Sequence, residues 1–183
     1  MRKDNLVQNV VIVVLAVTIM VMSVGYALYT QTLNINGTAT FSKAEWSVKF
    51  DKDSFSEGST IKSTSHDVGD TLITYEVTLP KPGTEYSFTV NAKNFGTIDA
   101  VLKKITLSGL TEAQKKFITY SVSYNGTAYT ATTDGLSVAL AAKASHPVIV
   151  TVGYILPSEP SALPTANDET VSLTVALDYE SAQ

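Results

Sequence analysis

Residues 25–50 read GYALYTQTLNINGTATFSKAEWSVKF, and this stretch decides how the chain is organised. It begins inside an apolar segment and ends in a β-rich region, and between the two the polarity of residues 32–41 alternates strictly. Successive side chains of a strand point to opposite faces, so this alternation predicts a half-buried β-strand. The polar face carries Thr and Asn, and the apolar or small face carries Leu33, Ile35, Gly37, Ala39 and Phe41.

The residues before this strand predict an export signal. A short basic flank, Arg2 and Lys3, precedes an apolar run over residues 10–22. This order is typical of secretory signal peptides. Because the basic flank stays on the cytoplasmic side, we expect the rest of the chain to be extracellular or at the cell surface.

Two outcomes are open for this segment. Gly25 and Ala27 place small residues at the −3 and −1 positions of a cleavage site, which predicts signal-peptidase cleavage between Ala27 and Leu28. Alternatively, residues 10–29 remain as a membrane anchor, because about 20 residues span a bilayer as a helix. In either case we expect a signal peptide or anchor over residues 1–27 and one β domain over residues 28–183.

The composition excludes several classes of function. Of the 183 residues, 44% are hydrophobic and 16% are charged, and the net charge is −4. A mildly acidic chain without a basic run lacks the positive surface that nucleic acids require, so we expect no nucleic-acid partner. Since the chain contains no cysteine, it forms neither disulfides nor thiolate metal sites.

Short alternating segments continue to the end of the chain. They predict strands at residues 46–50, 73–79, 86–92, 100–107, 118–124, 127–130, 136–141, 148–156 and 171–180. Within the first of these, Trp46 alternates with Val48 and Phe50, so we expect Trp46 to pack in the core. We interpret the polar residues 51–70 as a long loop with at most one short edge strand near residues 59–64.

Three local signals connect these strands. Thr111 and Gln114 fit a capping box that opens one short helix. The sequence Asn94-Phe95-Gly96 predicts a hairpin between its flanking strands, and Asn125-Gly126 predicts another. Nine or ten short strands without a βαβ rhythm indicate an all-β fold: an antiparallel two-sheet sandwich of jelly-roll or immunoglobulin-like kind, preceded by the N-terminal hydrophobic helix.

No residue pattern points to catalysis. The two histidines, His66 and His146, are 80 positions apart and belong to no zinc-binding motif. Asp51, Asp53 and Glu57 only loosely follow a calcium-loop pattern, because the required glycine and closing glutamate are missing. We therefore expect no enzymatic activity, no cofactor and no metal site.

The strand at residues 32–41 has two interpretations. It is either the first strand of its own sandwich or a strand that pairs with another copy of the chain. Cleavage after Ala27 would leave it at the new N-terminus, where a strand with alternating side chains suits β-strand addition to a neighbouring sheet. Gly37 in mid-strand allows another backbone to approach closely.

Three segments resemble one family. They are VGYALYTQTLNINGTAT at residues 24–40, WSVKF at residues 46–50 and LPKPGTEYSFTVNAKNFGTIDAVLKKI at residues 79–105. Together they resemble the TasA/camelysin-like exported proteins of Gram-positive bacteria, which a dedicated signal peptidase processes. The resemblance implies a jelly-roll domain and extracellular-matrix fibres, in which the N-terminal strand of one subunit completes the sheet of the next. Some relatives have been classed as metallopeptidases, but this chain has no zinc-binding motif.

The leading hypothesis is therefore an exported structural protein, the subunit of a cell-surface or biofilm-matrix fibre. Its partners would be further copies of itself, with signal peptidase during export and the membrane through residues 10–29 before cleavage. The alternative is a membrane-tethered adhesion or binding module with an uncleaved anchor. A camelysin-like metallopeptidase is the third hypothesis.

Overall fold

The computed structural model describes residues 4–29, 43–156 and 169–182. The chain divides into two compact units, residues 1–41 and residues 42–183. The donor-strand residues predicted from the sequence, Leu33, Ile35, Gly37, Ala39 and Phe41, lie outside the described residues.

The first unit contains one helix, α1, over Asp4–Tyr29. This confirms the N-terminal hydrophobic helix. Its side chains are exposed from residue 7 to residue 23. Within the described residues, no helix combines the length and the hydropathy that a membrane crossing requires. The positions predicted to flank the cleavage site, Gly25, Ala27 and Leu28, belong to the end of α1, and cleavage there stays a prediction.

The second unit is built from β-strands. The described residues form ten, which are Val48–Glu57 (β1), Ser65–Val68 (β2), Leu72–Leu79 (β3), Glu85–Asn94 (β4), Ala100–Ser108 (β5), Ile118–Tyr124 (β6), Thr127–Tyr129 (β7), Val138–Leu140 (β8), Ser145–Tyr154 (β9) and Glu169–Ser181 (β10). A single 3₁₀ turn, Gln114–Lys116, stands between β5 and β6.

The strands form two antiparallel sheets. Sheet 1 has the order β1-β4-β9-β6-β7, and sheet 2 has the order β2-β3-β10-β5-β8. Every pair of neighbouring strands is antiparallel. The prediction of a mostly β fold with two antiparallel sheets and an N-terminal helix is confirmed.

The period-two pattern places the apolar side chains between the sheets. In β3, for example, residues 73, 75, 77 and 79 are buried while residues 72, 74 and 76 are exposed. Buried side chains from β3, β5 and β10 join those from β4, β6 and β9 in one hydrophobic cluster. The second unit is therefore sandwich-like, with its core between two faces that the sequence alternation specifies.

Two of the three local signals are confirmed. Asn125 and Gly126 both have positive φ, 46° and 84°, as a two-residue hairpin turn between β6 and β7 requires. Thr111 Oγ1 accepts a hydrogen bond from the Gln114 N–H, and Gln114 Oε1 accepts one from the Thr111 N–H, which is a capping box.

The prediction of a long loop at residues 51–70 is wrong. β1 continues to Glu57, and β2 occupies residues 65–68. The pairing of β1 with β4 shifts register between Asp51 and Ser56, which is a β-bulge. There the Asn91 N–H donates to Ser54 Oγ at 2.8 Å. A side-chain oxygen thus takes the place of the main-chain carbonyl that accepts this bond in a regular sheet. An edge strand with exposed side chains tolerates polar residues, and the composition of this segment therefore does not indicate a strand.

The core position predicted for Trp46 is also wrong. The Trp46 side chain is 44% exposed. β1 begins at Val48, and the hydrophobic packing at this end of the domain begins there too, where Val48 contacts Ala100 and Leu140. Residue 46 has the correct alternation, but it precedes the paired part of the strand.

The hairpin predicted at Asn94-Phe95-Gly96 is the third error. β4 belongs to sheet 1 and β5 to sheet 2, so the chain changes sheets after Asn94. The main chain of residues 95–97 bonds back to the segment before β1: the Phe95 N–H donates to Ser47 O at 2.7 Å, and the Thr97 N–H donates to Glu45 O at 2.7 Å. A Cβ at Gly96 would come within 2.3 Å of Glu45 O, so only glycine fits this crossing.

The Asn94 side chain organises this crossing. It is fully buried, and its amide donates to Ile98 O at 2.8 Å and to Leu140 O at 3.3 Å. Its Oδ1 accepts from the Gly96 N–H at 2.9 Å. Because one side chain satisfies three main-chain groups, removal of the amide breaks all three hydrogen bonds at this crossing.

We expect Asn94→Ala to lower the free energy of unfolding by about 2–4 kcal/mol, because it leaves buried main-chain groups without partners. Asn91→Ala is the matched control, since the Asn91 side chain makes no hydrogen bond to the described residues; we expect a loss below about 1 kcal/mol. Urea unfolding of both variants measures the difference. Equal losses would show that the corner does not depend on Asn94.

Candidate strand-acceptor groove

The residues considered for metal binding lie in separate places. The Asp51 carboxylate pairs with Lys93 Nζ at 3.3 Å. His66 stacks on Phe55 with 4.4 Å between ring centroids, and its Nδ1 lies 3.1 Å from Ser63 Oγ. Among the described residues, no group of three His, Asp or Glu side chains is placed to hold a metal ion.

Glu57 has a structural role in closing the segment between β1 and β2. Its Oε1 accepts hydrogen bonds from the Ser63 N–H at 2.8 Å, from Ser63 Oγ at 2.6 Å and from the Tyr86 hydroxyl at 2.9 Å. Burial opposes ionisation of Glu57, but the hydrogen bonds from Ser63 and Tyr86 outweigh it and lower the pKa of the carboxyl.

His146 belongs to a chain of hydroxyls that links the two sheets. The Tyr179 hydroxyl on β10 donates to the Tyr124 hydroxyl on β6 at 3.0 Å, and Tyr124 lies 3.0 Å from His146 Nδ1 on β9. Burial raises the pKa of both phenols, so each keeps its one proton at neutral pH. A neutral imidazole with its proton on Nε2 can accept a hydrogen bond from Tyr124 at Nδ1, whereas a protonated ring can only donate at that nitrogen.

A groove lies between the two sheets of the second unit. Its volume is about 860 Å³. It lies between the end of β5, with the residues that follow it, and the first half of β6. The side chains and main chain that matter here belong to Leu107, Leu110, Ile118, Tyr120, Ala131 and Thr132. We call it the β5/β6 groove.

One wall of the β5/β6 groove is an unpaired sheet edge. β7 is only three residues long and pairs with residues 122–124 of β6. On that side, residues 118–121 have no strand partner among the described residues, whereas on the other side the whole of β6 pairs with β9. Four residues of β6 therefore form a free edge of sheet 1.

The hairpin determines which main-chain groups point into the groove. In a two-residue hairpin the flanking pair, Tyr124 and Thr127, is hydrogen-bonded, and hydrogen-bonded residues then alternate along the strand. Tyr124 and Val122 thus direct their N–H and C=O groups towards β7. By the same alternation Ile118 and Tyr120 direct theirs into the groove.

A main-chain bond beyond β6 supports this assignment. Phe117 precedes β6 and is odd-numbered, so the alternation directs its main-chain groups towards β9. Its carbonyl accepts a hydrogen bond from the Ile155 N–H at 2.8 Å on that side. Ile118 and Tyr120 are 3% and 8% exposed, so their free main-chain groups lie at the floor of the groove. Two N–H and two C=O groups there have no hydrogen-bond partner among the described residues.

The opposite wall is closed. Thr132 Oγ1 accepts from the Leu107 N–H at 3.0 Å and donates to the Leu107 carbonyl at 3.1 Å. Thr133 and Ile105 exchange two main-chain bonds of 2.9 Å. The edge of sheet 2 facing the groove is thus occupied by residues 132–133.

The far edge of sheet 1, formed by β1, is protected in another way. The Phe50 N–H donates to Asp70 O at 2.7 Å, and Lys49 Nζ pairs with the Asp70 carboxylate at 2.8 Å. The bulge and the charged residues Lys52 and Asp53 also discourage strand addition. Among β1, β5 and β6, the first half of β6 is therefore the part whose main-chain groups are available for strand addition within the described residues.

The predicted site residues and this groove are different parts of the chain. The donor strand predicted from the sequence lies wholly outside the described residues, and the sequence predicts no acceptor. One feature of the sequence indicates the free edge of β6. The return strand after Asn125-Gly126 is predicted to be only about half as long as the strand before it. A hairpin with unequal arms leaves part of the longer arm unpaired.

Comparisons with protein-family models, with curated proteins and with solved structures found no match to this chain. The resemblance to the TasA/camelysin-like family therefore rests on the three sequence segments alone.

The hydroxyl chain at His146 predicts a pH dependence of stability. Burial lowers the pKa of His146 in the folded state below its value in the unfolded chain. The unfolded state then binds the proton more tightly, so stability falls as the pH drops through about 6.5 towards the folded-state pKa.

We expect His146→Gln to reduce the loss of unfolding free energy between pH 7.5 and pH 5, measured by urea unfolding at each pH. His66→Gln is the matched control because His66 makes no contact with Tyr124 or Tyr179. The account of the hydroxyl chain would be wrong if His146→Gln kept the full wild-type pH dependence.

Proposed function

We propose that this chain is an exported structural protein, the subunit of a cell-surface or extracellular-matrix fibre that assembles by strand addition. Residues 32–41 of one copy serve as the donor strand, with Leu33, Ile35, Gly37, Ala39 and Phe41 facing the core of its neighbour. In the same proposal the sandwich is of jelly-roll or immunoglobulin-like kind. The observation that carries it is the free edge of β6 beside the β5/β6 groove.

The donor and the groove match in chemistry. Residues 32–41 contain no charged side chain, and one of their two faces is entirely apolar or small. The groove offers Leu107, Leu110 and the unpaired main chain of β6. An incoming strand satisfies main-chain hydrogen bonds at the edge while its alternate side chains fill the groove, and both contributions favour a defined register.

Cleavage during export would release the donor strand from the N-terminal helix. Cleavage between Ala27 and Leu28 would leave residues 28–31 as a short leader before the donor strand. The rest of the chain contains no disulfide, so pairing between subunits would stabilise the exported domain in place of covalent links.

The experiment introduces one negative charge on either face of the donor strand. Ile35→Asp places it on the face that enters the groove, and Asn34→Asp places it on the polar face. We expect Ile35→Asp to raise the concentration needed for assembly at least about tenfold, because burying an isoleucine contributes about 2 kcal/mol and 1.4 kcal/mol corresponds to a factor of ten. Asn34→Asp should assemble nearly as the wild type does.

Electron microscopy and sedimentation of the exported protein measure assembly, and mass spectrometry gives its N-terminus. We expect fibres that begin at Leu28. A wild-type protein that stays monomeric at all concentrations, or equal assembly of both variants, would contradict the proposal. An intact Met1 on protein at the cell surface would favour a membrane-tethered module instead.

A further inference from the structure

We infer that the outer face of sheet 1 is a contact surface for the same face of a second copy of the chain. Three features of this face carry the inference: its lack of charge, its unpartnered hydroxyl groups and its size. The contact involves the second unit alone and does not require strand addition. Its consequence for fibres rests on the proposed function.

The outer face of sheet 1 consists of side chains that point away from the core. In β4, β9 and β6 the buried residues are even-numbered, so the odd-numbered residues face outward. Between the ends of these strands the outward residues are Ser87, Thr89 and Asn91 on β4, Pro147, Ile149, Thr151 and Gly153 on β9, and Thr119, Ser121 and Ser123 on β6. We call these ten residues the neutral face, because none of them is charged.

The outer face of sheet 2 differs in charge. Its three central strands, β3, β10 and β5, direct Glu76, Asp178 and Lys104 outward. Charged side chains on exposed sheets keep a domain soluble and discourage association between copies. Because the neutral face carries no such group, a partner can cover it without removing a charge from water.

Most polar side chains of the neutral face lack a hydrogen-bond partner within the part of the chain that the structure describes. Thr119 Oγ1 donates to the Gly153 carbonyl at 3.3 Å. No hydrogen bond to the described residues is made by the side chains of Ser87, Thr89, Asn91, Ser121, Ser123 and Thr151. Since a hydroxyl both donates and accepts, a face built of hydroxyls can pair with a copy of itself.

The side chains of the neutral face are also short. Serine, threonine, proline and glycine lose less rotamer freedom on burial than lysine or glutamate does. Ile149, which is 42% exposed, lies between Thr89 and Ser123 and adds apolar area that a partner would remove from water. Such a face can approach another sheet to the spacing of about 10 Å that is usual for packed sheets.

The size of the neutral face determines how strong the contact is. It spans three strands, or about 14 Å, and residues 147–153 of β9, or about 20 Å. Its area is therefore about 300 Å², whereas a stable interface covers about 800 Å² on each partner. Two separate copies would associate weakly and reversibly. In a fibre many copies are joined, so their neutral faces would act together and hold fibres side by side.

Lysine substitutions test this contact. When the same face of two copies meets, the contact is isologous and each introduced charge is buried twice. Ile149→Lys places the charge at the centre of the neutral face. Leu72→Lys is the matched control, because Leu72 is 45% exposed and faces outward on β3 of sheet 2.

A second pair of variants, Thr151→Lys and Thr174→Lys, guards against effects on folding. Both threonines are half-buried and face outward, the first on β9 in the middle of sheet 1 and the second on β10 in the middle of sheet 2. Thermal unfolding of all four variants shows which of them remain folded, and association is compared among those.

Amide chemical shifts at rising protein concentration measure the contact, in full-length protein that carries Ile35→Asp to suppress strand donation. We expect concentration-dependent shifts at Thr89, Ile149 and Ser123 and none at Thr74. Ile149→Lys and Thr151→Lys should weaken the association at least about tenfold, because an unpaired charge would lose its hydration in the contact. The two sheet 2 variants should change it by less than about twofold, because their charges stay in water.

Two results would overturn the inference. One is a set of shifts at the neutral face that does not change with concentration, or that both variants of each pair weaken equally. The other is a set of shifts that appears only when a neutral polysaccharide such as dextran is added, which would assign this face to glycan binding.

Electron microscopy of fibres separates this contact from the proposed function. We expect wild-type and Leu72→Lys fibres to lie side by side and Ile149→Lys fibres to stay single. Self-association through the neutral face in a protein that never forms fibres would support the contact and contradict the fibre proposal. Fibres that associate equally in both variants would overturn the contact and leave strand addition intact.

Discussion

The need of main-chain N–H and C=O groups for hydrogen-bond partners is the constraint on which this structure depends. Hydrogen bonds between antiparallel strands satisfy most of them, but the outer main-chain groups of each edge strand need other partners. The edges of this domain are treated differently. At β1 a bulge, charges and bonds to Asp70 protect the edge, and at β5 a threonine hydroxyl occupies it. Of these three strands, and within the described residues, the first half of β6 combines main-chain groups that lack a partner with an apolar groove.

Because its edges differ, sheet 1 has two unlike ends. The free edge of β6 lies at one corner of sheet 1, and β1 begins at the opposite corner. A contact between two different surfaces of identical subunits is heterologous, and such contacts generate open chains unless their rotation closes a ring. In the proposed fibre the donor strand and the edge of β6 are different surfaces, so the contact between subunits would be heterologous.

Much of the second unit could be predicted from the sequence, because its signals are local. Strict alternation at residues 73–79 and 171–180 reports the buried face directly, and Asn125-Gly126 fixes a turn that needs two positive φ angles. The failures concern tertiary context. Asn94-Phe95-Gly96 has the residues of a hairpin turn, but the Asn94 amide is satisfied by Ile98 and Leu140, which no local pattern shows. Trp46 has the alternation of a core residue without a facing sheet to cover it. The free edge of β6 depends on the length of β7, which the sequence indicates only through the unequal arms of the hairpin, and on the Thr132 side chain, which no local pattern shows.

The central claim is that residues 32–41 of one copy lie beside Ile118 and Tyr120 of another. Magic-angle-spinning NMR of fibres grown from equal amounts of ¹⁵N-labelled and ¹³C-labelled protein tests it directly, since every ¹⁵N–¹³C contact then joins two copies. The account predicts contacts from the Ile118 and Tyr120 amide nitrogens to main-chain carbonyl carbons within residues 32–41. Fibres whose intermolecular contacts fall elsewhere, with none at these two amides, would contradict it.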